Sequence, residues 1–392
     1  MELPSKDSPH LSLEVATPEE LRAQQEVNSS EWKGALSLEA YLRREDFLLQ
    51  QNLTKDGGLT PWMLVYTPQD GSQRYVLAGC ESIKKKALVA RDGKVENCIA
   101  HGVASVFSQP KHRGRGYAGR MMSEVGKKLR EWQREGGQDV AFSILYSDIG
   151  KSFYKARGWE PFPSAHIALP GNASADAAGF PAVKELQTEH LPELCEFDEQ
   201  LLRQRLARAS KPGRKAVALV PDVATLQWHQ AREEFVANEL RGGGGGVLSG
   251  GQGAMVGDQE GSRVWCYWTR VWTNPGEVSP NTLHILRLVV EGNACADFEP
   301  ATEEGVMRAK SSDVVKSVAA LLAKAQQVAH ASGMKQVQIW NPTSLTLAAA
   351  QLVKPDASVI HRATDSIASL QWYGDGSWQD VDWVCNEKYG WC

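Results

Sequence analysis

One short segment joins an apolar strand to an amphipathic helix through a loop suited to phosphate. The run 103–107 is β-prone and is closed by Pro110. The loop at 113–116 alternates arginine with glycine, and after it apolar residues recur every three or four positions up to Trp132, as on one face of a helix. Glycines let backbone N–H groups approach a ligand closely, and a helix N-terminus carries partial positive charge. The segment therefore predicts a site for an anionic, diphosphate-bearing ligand.

Two phosphate-binding patterns overlap in this loop. Residues 114–119 satisfy the G-x-G-x-x-G pattern of dinucleotide-binding folds, whereas Arg113, Gly116 and Ala118 satisfy Arg/Gln-x-x-Gly-x-Gly/Ala. The first pattern should follow its strand directly, within the first β-α-β unit of the fold. Here residues 108–112 intervene and a strand-rich segment precedes the loop. The second pattern is therefore favoured.

A second motif lies downstream of the loop. The run 139–147 has a strand pattern and ends at Ser147, and the sequence then continues through Phe153 and Tyr154 to Gly158 and an aromatic residue. A left-handed residue that ends a helix costs little only for glycine, so Gly158 predicts the end of a short helix.

Together the two motifs resemble the Gcn5-related N-acetyltransferase (GNAT) superfamily. In that family the loop holds the pyrophosphate of acetyl-coenzyme A, and the tyrosine of the second motif approaches the coenzyme sulfur. The resemblance implies acetyl-coenzyme A as cosubstrate, without a metal ion. It implies coenzyme contacts from Val106, Phe107, Ser108, Arg113, Gly114, Arg115, Gly116, Tyr117, Ala118 and Ser147.

The order of elements predicts an α/β fold of the α+β type with a mixed sheet. A GNAT domain is predicted over 1–165 and a degenerate GNAT-like domain, which covers the substrate, over 166–392; the alternative for the second region is an unrelated α/β cap. The second region repeats the order of strands and helices but has no Arg-x-x-Gly-x-Gly/Ala motif. The glycine-dense run 242–257 predicts a mobile surface loop.

Composition excludes several classes of protein. The net charge of -4 gives no footprint for nucleic acid or an anionic membrane, and no apolar run of membrane-spanning length is present. The N-terminus lacks the basic start and apolar core of a signal peptide, so a cytoplasmic protein is expected. The seven cysteines have no C-x-x-C spacing, which argues against a disulfide framework and against a zinc site.

The tandem arrangement resembles the fungal lysine N-acetyltransferase family. That resemblance extends to Glu81, the 113–122 block and the tryptophan-rich C-terminus. It implies a small-molecule amine as the acceptor, with the side-chain amine of free L-lysine favoured. Broad amine or polyamine acetylation, protein N-acetylation and a non-catalytic acetyl-coenzyme A sensor remain alternatives.

Acetyl transfer to an amine needs a base and an acid. A lysine ammonium has a pKa of about 10.4, so a base or a water relay must deprotonate it at neutral pH. Three candidates for the base stay open: Glu81, in an otherwise apolar strand; His101, for its intrinsic pKa; and the terminal carboxylate of Cys392, because the aromatic C-terminus resembles that of the multi-site aminoglycoside acetyltransferases of mycobacteria. Tyr154 is the candidate acid for the leaving thiolate. The run 84–86, three lysines, is predicted to be a solvated face.

Overall fold

The fold is described from a computed structural model. The structure describes residues 3–69, 73–134, 137–173, 179–242, 250–274, 276, 279–292 and 298–391. Within those residues the α-helices are α1 (Pro18–Trp32), α2 (Leu38–Leu49), α3 (Tyr117–Leu129), α4 (Ser152–Lys155), α5 (Leu191–Ala209), α6 (Val223–Leu240), α7 (Glu303–Lys310), α8 (Val314–Ala331) and α9 (Ser344–Val353).

The strands of the same residues form two mixed sheets. They are β1 (Leu11–Val15), β2 (Leu59–Tyr66), β3 (Tyr75–Arg91), β4 (Lys94–Phe107), β5 (Val140–Ser147), β6 (Glu160–Pro161), β7 (Ala165–Pro170), β8 (Lys184–Leu186), β9 (Lys215–Leu219), β10 (Gly253–Val256), β11 (Val264–Val271), β12 (Thr282–Val290), β13 (Gln336–Trp340), β14 (Ile360–His361), β15 (Ile367–Trp372) and β16 (Val381–Trp383). The mixed α/β class predicted from the sequence is confirmed.

The first sheet has the order β1-β2-β3-β4-β5-β15-β6, and β9 joins it by pairing with both β3 and β16. The pair β4–β5 is parallel, and its neighbours along the main path are antiparallel. One face packs on α3 through a cluster that includes Cys80, Val103 and Leu145. The opposite face, with Phe142 and Ile144, packs against the second half of the chain. Each face of this sheet therefore has a different covering.

The helices that cover the first sheet begin where the sequence supplies caps. Thr17 accepts a hydrogen bond from the backbone of Glu20, whose side chain accepts one in return, so α1 has the predicted capping box. Ser37 caps α2, which the sequence analysis missed. That helix buries Tyr41, Arg44 and Leu48, which recur at helical spacing on one face.

The second sheet has the order β14-β7-β13-β12-β11-β10-β8. It packs on α8, whose apolar face includes Val318 and Leu322 as predicted. The prediction of a mobile loop over 242–257 is wrong at its end, because Gly253–Val256 is a buried strand between β8 and β11. Its apolar run of Ala, Met and Val fills the core, and residues 243–249 lie outside the described residues.

The two halves of the chain exchange strands. β15 lies between β5 and β6, so a segment near the C-terminus completes the first sheet, and β9 and β16 extend it. β7 pairs with β13 and β14 in the second sheet. The predicted limits 1–165 and 166–392 stay a prediction. Across the described residues, none of the helices has the length and apolar character needed to cross a bilayer.

Candidate active site

The candidate site lies where two parallel strands of the first sheet diverge. β4 and β5 pair only from Ile99 to Gly102 and from Val140 to Ile144, and beyond these residues they separate. A β-bulge in β4 accompanies the separation, because Glu81 pairs with Ala104 while Gly79 pairs with Phe107. Ser105, inside the bulge, has a left-handed φ of 53°. We call this divergence the opening; the α3 face of the sheet lies on one side of it and the opposite face on the other.

The predicted phosphate loop lies at the start of α3, at the edge of this opening. Gly114 and Gly116 have φ values of 77° and 81°, which favour glycine, and Gly116 is the N-cap of α3. Both glycines, Arg113 and Arg115 are exposed. A Cβ atom at Gly114 would meet no atom within 4 Å. The loop therefore presents backbone N–H groups, a helix N-terminus and two guanidinium groups to one open surface, which fits a diphosphate.

The other predicted coenzyme residues surround this loop. The Arg113 guanidinium lies 5.1 Å from the centre of the Phe107 ring, and its Nε donates to the Ser108 carbonyl at 3.1 Å. Val106 packs beside α3, and Ala118 is half-buried in the first turn of that helix. Ser147 is buried at the end of β5, where its hydroxyl donates to the Gly150 carbonyl at 2.6 Å. Ser147 thus holds its own turn.

An N-terminal segment crosses the start of α3. The Tyr117 hydroxyl donates to the Pro4 carbonyl at 2.5 Å, and Arg120 donates to the Lys6 carbonyl at 3.0 Å. The stem of Lys6 lies beside Gly116, where a Cβ atom would be 2.7 Å from the Lys6 Cδ. The side chain of Tyr117 therefore faces the protein, and only its backbone can face a ligand. The sequence analysis did not predict this segment's position.

Tyr154 lies on the α3 side of the opening. It packs in the same cluster as Cys80 and Val106, and it is 8 % exposed. Burial raises the pKa of its phenol, and the nearby Cys80 thiol adds to the increase. Within the residues that the structure describes, its hydroxyl has no hydrogen-bond partner. The adjacent Phe153 carries the packing with Arg157, whose guanidinium lies 4.0 Å from the Phe153 ring centre. The role of Tyr154 as proton donor stays a prediction.

Glu81 lies on the other side of the opening. The bulge residue Ser105 donates its hydroxyl to the Glu81 carboxylate at 2.7 Å. Burial raises the pKa of the Glu81 carboxyl to about 7, and the charge of Glu45 contributes in the same direction. A group with this pKa can accept and release a proton near neutral pH.

A family model for the LYC1 GNAT-like C-terminal domain matches residues 166–392, which is more than half of the chain. The chain belongs to this GNAT family. A model for an acetyltransferase (GNAT) domain also matches residues 92–162, which contain the diverging strand pair and the phosphate loop. The protein is therefore an acetyltransferase of the GNAT type.

The chain is also similar to two other proteins in sequence and to solved structures in fold. A lysine acetyltransferase of Yarrowia lipolytica is 24% identical over 66% of this chain and 72% of its own length. An uncharacterized protein of Saccharomyces cerevisiae is 24% identical over 54% of this chain and 61% of its own length. A probable N-acyltransferase from Enterococcus faecalis and a GCN5-related N-acetyltransferase from Anabaena variabilis share the fold, with TM-scores of 0.51 and 0.52. They are 13% and 14% identical, and each match covers 93% of this chain and 73% of the other.

His101 lies on the opposite face of the sheet from Glu81 in this GNAT domain. It is fully buried, and its Nε2 lies 3.1 Å from the Gln133 side chain. Burial lowers the pKa of His101 to about 4, so the ring is neutral at pH 7. Strand alternation explains the position, since His101 pairs with Lys84 while Glu81, three residues earlier on β3, points to the other face. The structure therefore does not bring His101 to the face of the sheet that carries Glu81.

The third candidate base, the carboxylate of Cys392, lies outside the described residues. The preceding residues are packed, as the aromatic composition predicted. Tyr389 is 1 % exposed, and Trp391 stacks on His229 with ring centres 6.4 Å apart. In the described part of the chain, no group of three or more His, Cys, Asp or Glu side chains is placed to hold a metal ion.

The GNAT motifs gave no indication of the residues that surround Glu81. Tyr41 and Glu45 come from α2, and Arg232 comes from α6. Burial raises the pKa of the Tyr41 phenol, and Glu45 and Glu81 both contribute to the shift. The prediction that residues 84–86 form a solvated face is wrong for Lys85, which is buried. Strand alternation could have predicted the burial of Lys85, because Glu81, Ile83 and Lys85 lie on one face of β3.

Proposed function

We propose that this protein transfers acetyl from acetyl-coenzyme A to the primary amine of a small molecule, most favourably the side-chain amine of free L-lysine. The observation that carries the proposal is Glu81, a carboxyl with a pKa of about 7 at the bulge between the diverging strands. The phosphate loop lies on the other side of the same opening. An acceptor can thus reach the base from one face while the donor approaches from the other.

The donor side has the groups that a coenzyme diphosphate needs. The N–H groups at Gly114 and Gly116 and the guanidinium groups of Arg113 and Arg115 would bind the diphosphate oxygens. Backbone N–H groups around Val106 to Ser108, where β4 leaves β5, would polarise the thioester carbonyl. Bound acetyl-coenzyme A supplies the activated acetyl group.

One proton transfer comes from each side of the opening. The acceptor ammonium loses a proton to the Glu81 carboxylate, and the neutral amine nitrogen forms a bond to the acetyl carbonyl carbon. The bond between that carbon and the sulfur breaks, and Tyr154 donates its phenolic proton to the departing sulfur. The nitrogen, now bonded to the acetyl carbon, releases its second proton to solvent, and the Tyr154 phenolate takes up a proton from solvent. Ser105 holds the Glu81 carboxylate in place by its hydrogen bond.

The coverage of the acceptor side favours a small molecule over a protein. Ile83, which shares the Glu81 face of β3, packs with Leu48 of α2 and Trp228 of α6. Trp391 closes the same region against α6. A folded protein surface would have to displace these helices, whereas a free amino acid would not. The name of the Yarrowia lipolytica relative agrees with lysine as the acceptor.

A panel of acceptors tests the proposal. Thiol release from acetyl-coenzyme A is measured with amino acids, polyamines, aminoglycosides and peptides. We expect the highest kcat/KM with L-lysine. Faster turnover of peptides would show that the protein is a protein acetyltransferase, and coenzyme binding without turnover of any amine would show a sensor.

A pH profile tests the role of Glu81. Since only the carboxylate accepts a proton, kcat/KM should rise as pH approaches about 7 and should then level off. Glu81→Gln should lower kcat by roughly 10²- to 10⁴-fold and remove this rise. Glu96→Gln, at an exposed position on β4, serves as the matched control. An unchanged profile in Glu81→Gln would assign the proton transfer to another group.

A further inference from the structure

Lys85 is buried in the acceptor region without a hydrogen-bond partner. It shares one face of β3 with Glu81 and Ile83 and is 4 % exposed. Its Nζ is buried, and in the described residues no group accepts a hydrogen bond from it. A buried amine without a partner costs the fold free energy, because the hydrogen bonds that it made to water are lost. Such a group either destabilises the fold without a function or forms part of a binding site for an anion.

Arg232 lies in the same region on α6. Helices α2 and α6 are joined by Phe47 and Phe235, whose ring centres are 5.5 Å apart, and by the Arg43–Glu239 ion pair at 2.7 Å. The Arg232 guanidinium lies 5.7 Å from the centre of the Trp391 ring. It has no hydrogen-bond partner or ion pair in the part of the chain that the structure describes.

The neighbouring arginine provides a contrast. Arg44 on α2 donates to the Glu45 carboxylate at 2.6 and 2.8 Å and lies 4.7 Å from the Tyr41 ring centre, so its charge is balanced within α2. Burial lowers the pKa of Arg232 to about 9, and the charge of Arg44 adds to the decrease. A bound anion would counteract both effects, because it stabilises the charged form of the Arg232 guanidinium.

His229 links Lys85 to Arg232. Its ring stacks on Trp391, and its Nε2 lies 3.1 Å from the Tyr389 carbonyl. Burial lowers the pKa of His229 to about 3, and the charges of Lys85, Lys388 and Arg232 add to the decrease. The cations of β3 and α6 are therefore close enough to act on one ring. The carboxylate of Glu45 also acts on Arg232, but it is hydrogen-bonded to Arg44.

We propose that Lys85 and Arg232 form a subsite for the carboxylate of the acceptor, on the face of the first sheet that also carries Glu81. This inference rests on the proposed function and names the class of acceptor: a free amino acid whose side chain ends in an amine. Lys85 lies four positions after Glu81 on β3, about 13 Å between their Cα atoms. Both side chains leave the same face of β3.

Two variants and two substrates test the subsite. Cadaverine has the amine chain of lysine without the α-carboxylate. The ratio of kcat/KM for L-lysine to that for cadaverine should fall roughly 100-fold in Lys85→Met and in Arg232→Gln, since each removes a charged partner of a carboxylate. Lys86→Met, at the exposed neighbouring position, should keep the wild-type ratio.

Stability separates this role from a structural one. Because Lys85 is buried without a partner, Lys85→Met should unfold at the same or a higher urea concentration than wild type while it loses lysine preference. The proposal would be overturned if Lys85→Met unfolded at a lower urea concentration and its kcat/KM fell equally for L-lysine and cadaverine.

Direct binding separates the subsite from the reaction. Calorimetry should show that L-lysine binds wild type and binds Lys85→Met at least tenfold more weakly. If lysine binds through Lys85 but no amine is acetylated, the proposed function fails while the subsite stands. If wild type acetylates lysine and cadaverine equally well, the subsite fails while the proposed function stands.

The chain's own terminal carboxylate is a second source of the same chemistry. A short glycine extension after Cys392 would move that carboxylate by several ångströms. If the extended protein loses kcat/KM with both L-lysine and cadaverine, Lys85 and Arg232 bind the terminal carboxylate of the chain, and the proposal is overturned. An unchanged lysine preference in the extended protein supports the substrate carboxylate.

Discussion

Each sheet contains a parallel strand pair that diverges, and the two pairs differ in what lies between them. β4 and β5 separate at a bulge beside a glycine-rich helix start. β12 and β13 pair from Thr282 to Ile285 and from Gln336 to Ile339, and they then separate in the same way. The space beside this second pair is filled by a tail segment of the chain, residues 385–391.

The tail segment supplies hydrogen bonds that a neighbouring strand would otherwise supply. The Glu387 carboxylate accepts from the backbone N–H of Leu288 on β12 at 3.0 Å. The carbonyl of Asn386 accepts from Asn341, which directly follows β13, at 2.5 Å. The buried Arg287 pairs with Glu387 and also with Asp198 at 2.7 Å. The second pair is therefore closed by the protein itself.

The helix starts beside the two pairs also differ. α3 begins at Gly116, next to two exposed arginines, whereas α8 begins at Asp313. A carboxylate near a helix N-terminus repels a phosphate that would bind there. Fold alone thus does not create a coenzyme site, because the second pair has the divergence but neither the open space nor the positive charge.

Two tyrosines summarise the chemical difference between the pairs. Tyr154 lies at the open pair with a hydroxyl that has no partner in the described residues, whereas the Tyr389 hydroxyl in the tail segment donates to the Leu219 carbonyl at 2.8 Å. We propose the first as a proton donor, whereas the hydroxyl of the second is used within the tail segment.

The largest effect is expected when a negative charge is introduced at the phosphate loop beside the β4–β5 pair. Gly116→Asp places a side chain at a left-handed φ and a negative charge beside the diphosphate, so we expect acetyl-coenzyme A binding to be abolished. Gly93→Asp changes a glycine with φ of 80° in a distant turn and is the control for backbone strain. Calorimetry on the folded variants decides, and unchanged affinity in Gly116→Asp would contradict the assignment of the loop.

Removing the reactive hydroxyl gives the next effect. Tyr154→Phe should lower kcat by roughly 10²- to 10⁴-fold with little change in coenzyme affinity, because only proton donation is lost. Tyr373→Phe is the matched control, since this hydroxyl is 2.6 Å from the Ser143 hydroxyl on the same face. A wild-type kcat in Tyr154→Phe would return Tyr154 to a packing role.

The smallest effect on chemistry is expected at the closed pair. Tyr389→Ala removes a buried ring, which should lower the free energy of unfolding by about 3–5 kcal/mol in urea titrations and leave acetyl-coenzyme A affinity unchanged. Tyr389→Phe keeps the ring and should cost only about 1 kcal/mol. Lost coenzyme affinity in a folded Tyr389→Ala would show that the tail segment acts on the first pair.

The donor side of the site could be predicted from the sequence because it is local. The loop, the helix start and the strand before it are contiguous, so one short motif contains their geometry. The acceptor side could not be predicted in the same way, since it combines α2, β3, α6 and the tail segment. The raised pKa of Glu81 depends first on its burial and then on Glu45, and neither is visible in a linear motif. Lys85 was detectable from strand alternation, but Arg232 has no such signal.

The position of β15 has a consequence for how the protein is made. A chain emerges from the ribosome with its N-terminus first, and most N-terminal domains can fold as they emerge. Here the strand between β5 and β6 is Ile367–Trp372, so one edge of β5 stays unpaired until these residues have been synthesised. An exposed edge of this kind is prone to pair with other chains. Nascent protein therefore passes through a long period of vulnerability to aggregation that ends only when β15 is inserted.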